Sequence, residues 1–165
     1  MPDWRKVRSA CRLRAGREAV PQRDGALGGV SGPAWVEVAD LIEFNRSAVA
    51  ATGEPFGVVD RGLLESSVFR PRHILHYEGE RDVVRLGCAL AASVARNHCF
   101  RQGNKRTAHA ALFRFLWING YTFRDPDDLI LAELLIALVD HRISEEAYMD
   151  AIDGHVVERR LPQPS

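Results

Sequence analysis

The run Asn97-His98-Cys99-Phe100-Arg101-Gln102-Gly103-Asn104-Lys105-Arg106-Thr107 brings an imidazole, several carboxamides, two adjacent cations and a glycine into one short segment. It joins two strongly apolar stretches, so a polar loop between two buried helices must reach the surface there. Gly103-Asn104 opens the second stretch as a helix. That end carries unpaired backbone N–H groups and the positive pole of the macrodipole. Lys105 and Arg106 sit badly in such a first turn unless an anion offsets them. The arrangement therefore reads as an anion site, with phosphate the natural occupant. His98, one loop away, is placed to act on the same anion's chemistry as general base for a hydroxyl nucleophile.

The other chemistry-bearing residues have simpler structural readings. Phe100 is expected to anchor the loop in the core. His73 and His76 have the i, i+3 spacing of metal ligands but no third partner in view. Tyr77-Glu78 is expected to make a loop contact. His109 is expected between core helices, and His141 and His155 at the surface. Phe113, Phe115 and Trp117 lie in an apolar helix and are expected to pack the core rather than stack on bases. Gly16, Gly25, Gly28 and Gly29 match no phosphate-loop pattern. Cys11, Cys88 and Cys99 are odd in number and lack C-x-x-C spacing, which excludes a closed disulfide framework and disfavours structural zinc.

The elements that must position the segment are helical. Val38, Leu41, Ile42 and Val49 share one face of a helix that Thr52-Gly53 ends. Residues 55–60 are extended in character and suggest a short hairpin. A short amphipathic helix with Leu63, Leu64 and Val68 is expected to stop before Pro71. Asp82 to Asn97 and Thr107 to Ile118 are apolar on nearly every face, the mark of helices buried all round. Asn119-Gly120 supplies a left-handed stop. Asp125 is expected to N-cap a helix with Pro126 in its first position, running to about Val139. Ser144 caps a last helix, expected to reach about Glu158. The fold class is all-α.

The chain has 165 residues, enough for one domain with a proper core. Apolar residues make up 46% and charged residues 27%, an ordinary globular balance. Equal counts of 22 basic and 22 acidic residues exclude binding to polyanions through bulk charge. Residues 1–33 are unlike the rest. Arg5, Lys6, Arg8, Arg12, Arg14, Arg17 and Arg23 there face only Asp3, Glu18 and Asp24. With no apolar period, this segment reads as a disordered basic tail, not as an arm for nucleic acid. The domain is expected over residues 34–158, with a C-terminal tail over 159–165. There is neither a membrane-length apolar run nor a signal-peptide pattern, so a cytoplasmic protein is expected.

His98-x-Phe100-x-x-Gly103-Asn104-Lys105-Arg106-Thr107 resembles the signature of the Fic/Doc superfamily, and of its Doc-type toxin branch in particular. Fic proteins carry Asn-Gly-Arg where this sequence has Asn104-Lys105-Arg106. Gly57-Val58-Val59-Asp60-Arg61-Gly62-Leu63-Leu64-Glu65-Ser66 is similar to the stretch around the Doc flap. Phe115-Leu116-Trp117-Ile118-Asn119-Gly120 extends the likeness downstream. The resemblance covers about Val36 to Val157.

The resemblance implies a compact helical fold with the motif loop between two central buried helices and a short β-hairpin flap. It implies His98 as base, with Gly103, Asn104, Lys105 and Arg106 holding the phosphates of ATP or another nucleotide triphosphate. Phe56, Gly57, Val58, Val59 and Asp60 would align the target peptide. The implied activity is phosphate transfer to a Ser/Thr hydroxyl of a protein target, with elongation factor Tu the target in the prototype, and with it inhibition of translation. AMP transfer of the Fic type and a catalytically weakened nucleotide- or antitoxin-binding module are the alternatives. The implied partner is a separately encoded antitoxin. Self-inhibited Fic proteins carry a (Ser/Thr)-x-x-x-Glu-(Gly/Asn) helix, whereas here Ile74 precedes Glu78-Gly79 at the position needing Ser or Thr. Two departures stand out. Cys99 replaces proline, and Gln102 replaces the acidic residue that holds Mg²⁺ in many relatives. A neutral carboxamide oxygen is a weaker ligand for that hard ion.

Overall fold

The structure, a computed structural model, describes residues 32–125 and 129–159. The tails expected over 1–33 and 159–165 lie almost wholly outside the described residues. So do residues 126–128, on which the expected N-terminal turn after Asp125 depends.

Two helices form the centre. α3 (Val83–Asn97) and α4 (Asn104–Ile118) pack along each other, as their all-round apolar sequences require. Leu86, Leu90, Leu112, Phe115 and Leu116 are almost wholly excluded from solvent at their contact. The approach is close enough to require a glycine in α3. A Cβ at Gly87 would lie 3.0 Å from side-chain carbons of both Leu112 and Phe115.

The outer helices complete the core. α1 (Val38–Ala50) turns Leu41, Phe44, Ala48 and Val49 inward and packs on α4. α2 (Arg61–His73), N-capped by Asp60 accepting from the Leu63 amide at 2.9 Å, packs on α3. α5 (Leu129–Val139) and α6 (Glu145–Asp153) cover the remaining side, with Ser144 capping α6 through the Ala147 amide. Glu145 ties three helices together, meeting Arg70 at 2.7 Å and Arg96 at 3.0 Å.

Three boundaries differ from the sequence reading. α2 runs through Pro71 to His73 and on into a π-helical turn, Ile74–Glu78, which Gly79 ends at φ +73°. A proline inside a helix removes one backbone hydrogen bond. Burial of Leu64, Ser67, Val68 and Pro71 itself outweighs that loss. The last helix ends at Asp153 rather than near Glu158. Val156–Glu158 instead forms a strand, β2, antiparallel to β1 (Tyr121–Phe123), with Thr122 opposite Val157. The β-branched pair Val156-Val157 takes the extended form because β1 supplies a partner. Finally, the 55–60 segment makes no hairpin of its own. Its partner is the motif loop, through an isolated antiparallel bridge between Val58 and Phe100.

Candidate active site

The motif loop is held from four sides. α3 ends at His98, whose left-handed backbone (φ 48°, ψ 45°) reverses the chain. Histidine is among the residues that tolerate this conformation. Its side chain is exposed, while Cys99 and Phe100 immediately after it are buried. The loop is thus pinned by its apolar residues and presents its imidazole. Asn97 steadies the end of α3, donating to Ser67 Oγ at 2.8 Å and to Ser93 Oγ at 3.3 Å. Cys99 Sγ lies 3.7 Å from the same Ser67 hydroxyl, and burial pushes its thiol pKa upward.

The 56–60 segment lies along the loop. Arg101 N–H donates to Gly57 O at 2.8 Å, and Val59 and Asp60 N–H both reach Cys99 O, at 2.8 and 3.3 Å. Phe56 lies under the Arg46 guanidinium, 4.7 Å from its ring centroid. In this pairing Val58 is a non-hydrogen-bonded residue of the bridge, so its own N–H and C=O point away from the motif loop. Among the described residues they make no backbone hydrogen bond. Gly57, Val58, Val59 and Asp60 therefore adjoin the motif loop, whereas Phe56 meets Arg46 of α1.

At the far end of the loop, Gly103 N-caps α4 at φ +76°. A Cβ there would lie 3.1 Å from both Asn45 Nδ2 and Val49 Cγ1. Asn45, fully buried on α1, donates to Gln102 O at 2.8 Å and to Thr107 Oγ1 at 3.0 Å. Thr107 Oγ1 in turn donates to Gly103 O at 2.9 Å. The N–H groups of Asn104, Lys105 and Arg106 form the first turn, where no intrahelical acceptor exists. The sequence reading expects an anion at this turn.

The side chains behind that turn are engaged differently from one another. Asn104 accepts from Phe100 N–H at 2.9 Å and donates to Phe100 O at 2.7 Å, closing the loop. Lys105 is partly exposed, and its ammonium lies 3.9 Å from Asp140. Arg106 is buried at 9% exposure. Its guanidinium donates to Ala48 O and Thr52 Oγ1, each at 2.8 Å, and to the Glu54 carboxylate. The hydrogen bonds from Thr52 and from Arg106 hold the Glu54 carboxyl below its ordinary pKa. The family resemblance implies that Asn104 and Arg106 help to hold phosphate. In the structure both bind inside the protein, and the anion offsetting Arg106 is Glu54.

Gln102 has an exposed side chain. Among the described residues no group of three or more His, Cys, Asp or Glu is placed to hold a metal ion. The donor set at residue 102 is one neutral carboxamide, which does not fit a protein-built Mg²⁺ site. His73 instead packs at a tilt on Tyr77, and His76 meets that ring edge-on, with centroids 4.4 and 4.9 Å away. His109 is 6% exposed and stacks on Phe123.

Asn45, Thr52, Glu54 and Ser67 were missed in the sequence. One signal was available: Asn45 interrupts the apolar stripe of α1 between Phe44 and Ala48, where an unpaired carboxamide would be costly.

An exposed histidine and a helix N-terminus stand at the two ends of one short loop, with an extended segment laid along it, in the motif's order. The sequence matches the Fic/DOC family over residues 35–116. It is 42% identical over 89 residues to a protein named Toxin Doc from Mycolicibacterium smegmatis, covering 52% of this chain and 67% of that protein. The chain belongs to the Fic/DOC family. It is also 27% identical over 113 residues to a protein named Protein kinase doc from Escherichia phage P1, covering 68% of this chain and 88% of that one. Both relatives bear the Doc name, in keeping with Asn104-Lys105-Arg106-Thr107. The helical Fic/DOC fold accounts for the central pair α3 and α4 with the motif loop between them. Among the described residues no helix is long and apolar enough to cross a membrane.

Proposed function

We propose that this protein is a Doc-like toxin that transfers a phosphate from ATP to a Ser/Thr hydroxyl of a protein target. The observation that carries the reading is the pairing of exposed His98 with the first turn of α4 across one short loop. The imidazole takes the proton of the target hydroxyl as its oxygen attacks the γ-phosphorus. The bond from that phosphorus to the bridging oxygen breaks, and ADP departs. The backbone N–H groups of Asn104, Lys105 and Arg106, with the Lys105 ammonium, offset the phosphate charge. Asn104 and Gly103 hold the turn that aims those groups.

The unpaired Val58 edge supports docking of the target as an added strand. Main-chain hydrogen bonds would supply affinity, and Phe56 and Val59 would supply side-chain contacts. Elongation factor Tu is the proposed target, by its resemblance to the prototype, and translation arrest the consequence. Because the two relatives carry Doc names, a separately encoded antitoxin is the proposed partner. Mg²⁺ would enter with the nucleotide, held by phosphate oxygens rather than by a carboxylate of this chain.

Incubation of the protein with α- or γ-labelled ATP and a cell extract tests the reaction. Label from the γ position on protein, absent with His98→Ala, is the expected result. Label from the α position would establish AMP transfer instead. A second reading follows from Gln102, whose neutral amide weakens metal-assisted transfer: a nucleotide- or antitoxin-binding module. Nucleotide binding without transfer of either label would establish it.

A further inference from the structure

Glu54 lies outside the motif and outside the flap, yet it pairs with the one and leads through Pro55 into the other. Its carboxylate accepts from the Arg106 guanidinium in the first turn of α4 and lies within hydrogen-bond distance of the Thr52 hydroxyl. Its own N–H donates to Val49 O at 3.0 Å, tying it to the end of α1. Pro55 follows, with a fixed φ and an extended preference imposed on Glu54. Two residues beyond it, Gly57 O makes the first hydrogen bond with the motif loop. The chain between the ion pair and that bond is therefore short and stiff.

Arg106 completes the link. Its other hydrogen bonds go to Ala48 O and Thr52, so the guanidinium also satisfies a carbonyl at the end of α1. Its Nη2 lies only 3.6 Å from where a Cβ of Gly103 would stand, directly beneath the motif turn. A cation this buried needs its counter-charge, since removing one partner strands the other.

We propose that Glu54 is a positioning residue, fastening the 55–60 segment in register against the motif loop through Arg106. The role rests on the proposed reading of that segment as the target-binding edge. The fastening itself is a property of the fold and is measurable without any substrate.

Hydrogen–deuterium exchange at the amides of Val59, Asp60 and Arg101 reads the fastening directly, because these amides bond across the segment and the loop. In Glu54→Gln their exchange should speed up by about threefold to tenfold, the range for a charge-assisted bond at a partly exposed site. Amides in the middle of α3 and α4 should keep wild-type rates. Arg106→Gln should loosen the same amides, and the double variant should loosen them no further than the single ones. Glu54→Asp, which keeps the charge, should restore part of the protection. If Glu54→Gln does not fold, Thr52→Val probes the same cluster from its neutral member. Unchanged exchange at Val59, Asp60 and Arg101 in a folded Glu54→Gln protein overturns the proposal. So does unchanged exchange accompanied by tighter nucleotide binding, which would make Glu54 a competitor for Arg106. Absence of label transfer by the wild type would count against the proposed reaction and leave the exchange result standing.

Discussion

Asn104 and Phe100 exchange two hydrogen bonds, Phe100 N–H to Asn104 Oδ1 at 2.9 Å and Asn104 Nδ2 to Phe100 O at 2.7 Å. A side-chain amide thus stands in for a strand partner and sets the width of the motif loop. Asn104→Ala leaves both Phe100 groups without that partner, at a cost of about 1–3 kcal/mol. The variant should melt several degrees lower and lose transfer activity together. Thermal unfolding alongside a label-transfer assay checks both. Asn104→Asp keeps the acceptor and loses the donor, so it should fall between the two.

His98 carries chemistry and little packing. Its side chain is exposed, and the neighbours that anchor the loop are Cys99 and Phe100. His98→Ala should lower the transfer rate by roughly 10²–10⁴-fold, the usual worth of a general base. Circular dichroism should be unchanged. Growth arrest by a soluble His98→Ala protein equal to that of the wild type would remove the role.

The two motif cations should separate cleanly. Both sit in a helix first turn, where a cation is unfavourable, so the sequence by itself predicts that losing either leaves the fold equally or more stable. For Lys105 the structure gives only one small opposing contact, with Asp140 at 3.9 Å, exposed and worth about 0–1 kcal/mol. Lys105→Ala should weaken nucleotide binding with little change in melting temperature. Arg106→Ala is different, because it breaks buried hydrogen bonds to Ala48 O and Thr52. The loss should be on the order of 2 kcal/mol, as for hydrogen bonds from a charged group. Calorimetry of binding and unfolding on the two variants decides the matter.

Gln102→Glu restores a carboxylate at an exposed loop position with almost no change in shape. If residue 102 faces a nucleotide-bound ion, the variant should need less Mg²⁺ for half-maximal transfer. Titration of Mg²⁺ against rate in both proteins checks it. An equal or higher requirement in the variant would take residue 102 out of the metal's reach.

Acid should loosen the Glu54–Arg106 fastening. The Glu54 pKa is lowered by the Thr52 and Arg106 hydrogen bonds, so the folded state binds its proton less readily than the unfolded chain. Its contribution is complete above the ordinary carboxylate range and is lost as pH falls through the lowered folded value. The melting temperatures of wild type and Glu54→Gln should therefore differ near neutrality and converge on strong acidification. A gap that persists unchanged into that range would show that the charge plays no part.

Local sequence determined the parts whose cause is local. The all-round apolar character of residues 83–97 and 107–118 made two buried helices, because each face had to find apolar neighbours. Gly103 opened the second of them, and the order of His98, Gly103 and Lys105 set a histidine and a helix N-terminus at the two ends of one short loop. Tertiary structure decided the pairings between distant residues. Glu54 meets Arg106 across 52 positions, and Asn45 meets Thr107 across 62. Residues 55–60 read as a short hairpin because extended character shows in a sequence, whereas the hydrogen-bonding partner, here the motif loop, does not. The β1–β2 ribbon escaped notice because Val156-Val157 also suits a helix face and strand form needed Tyr121–Phe123 beside it. Pro71 reads as a stop in the sequence, but burial against α3 carries the helix past it. Periodicity and caps report burial and chain ends. Which charge faces which is fixed only when the helices pack and a buried cation must find its anion.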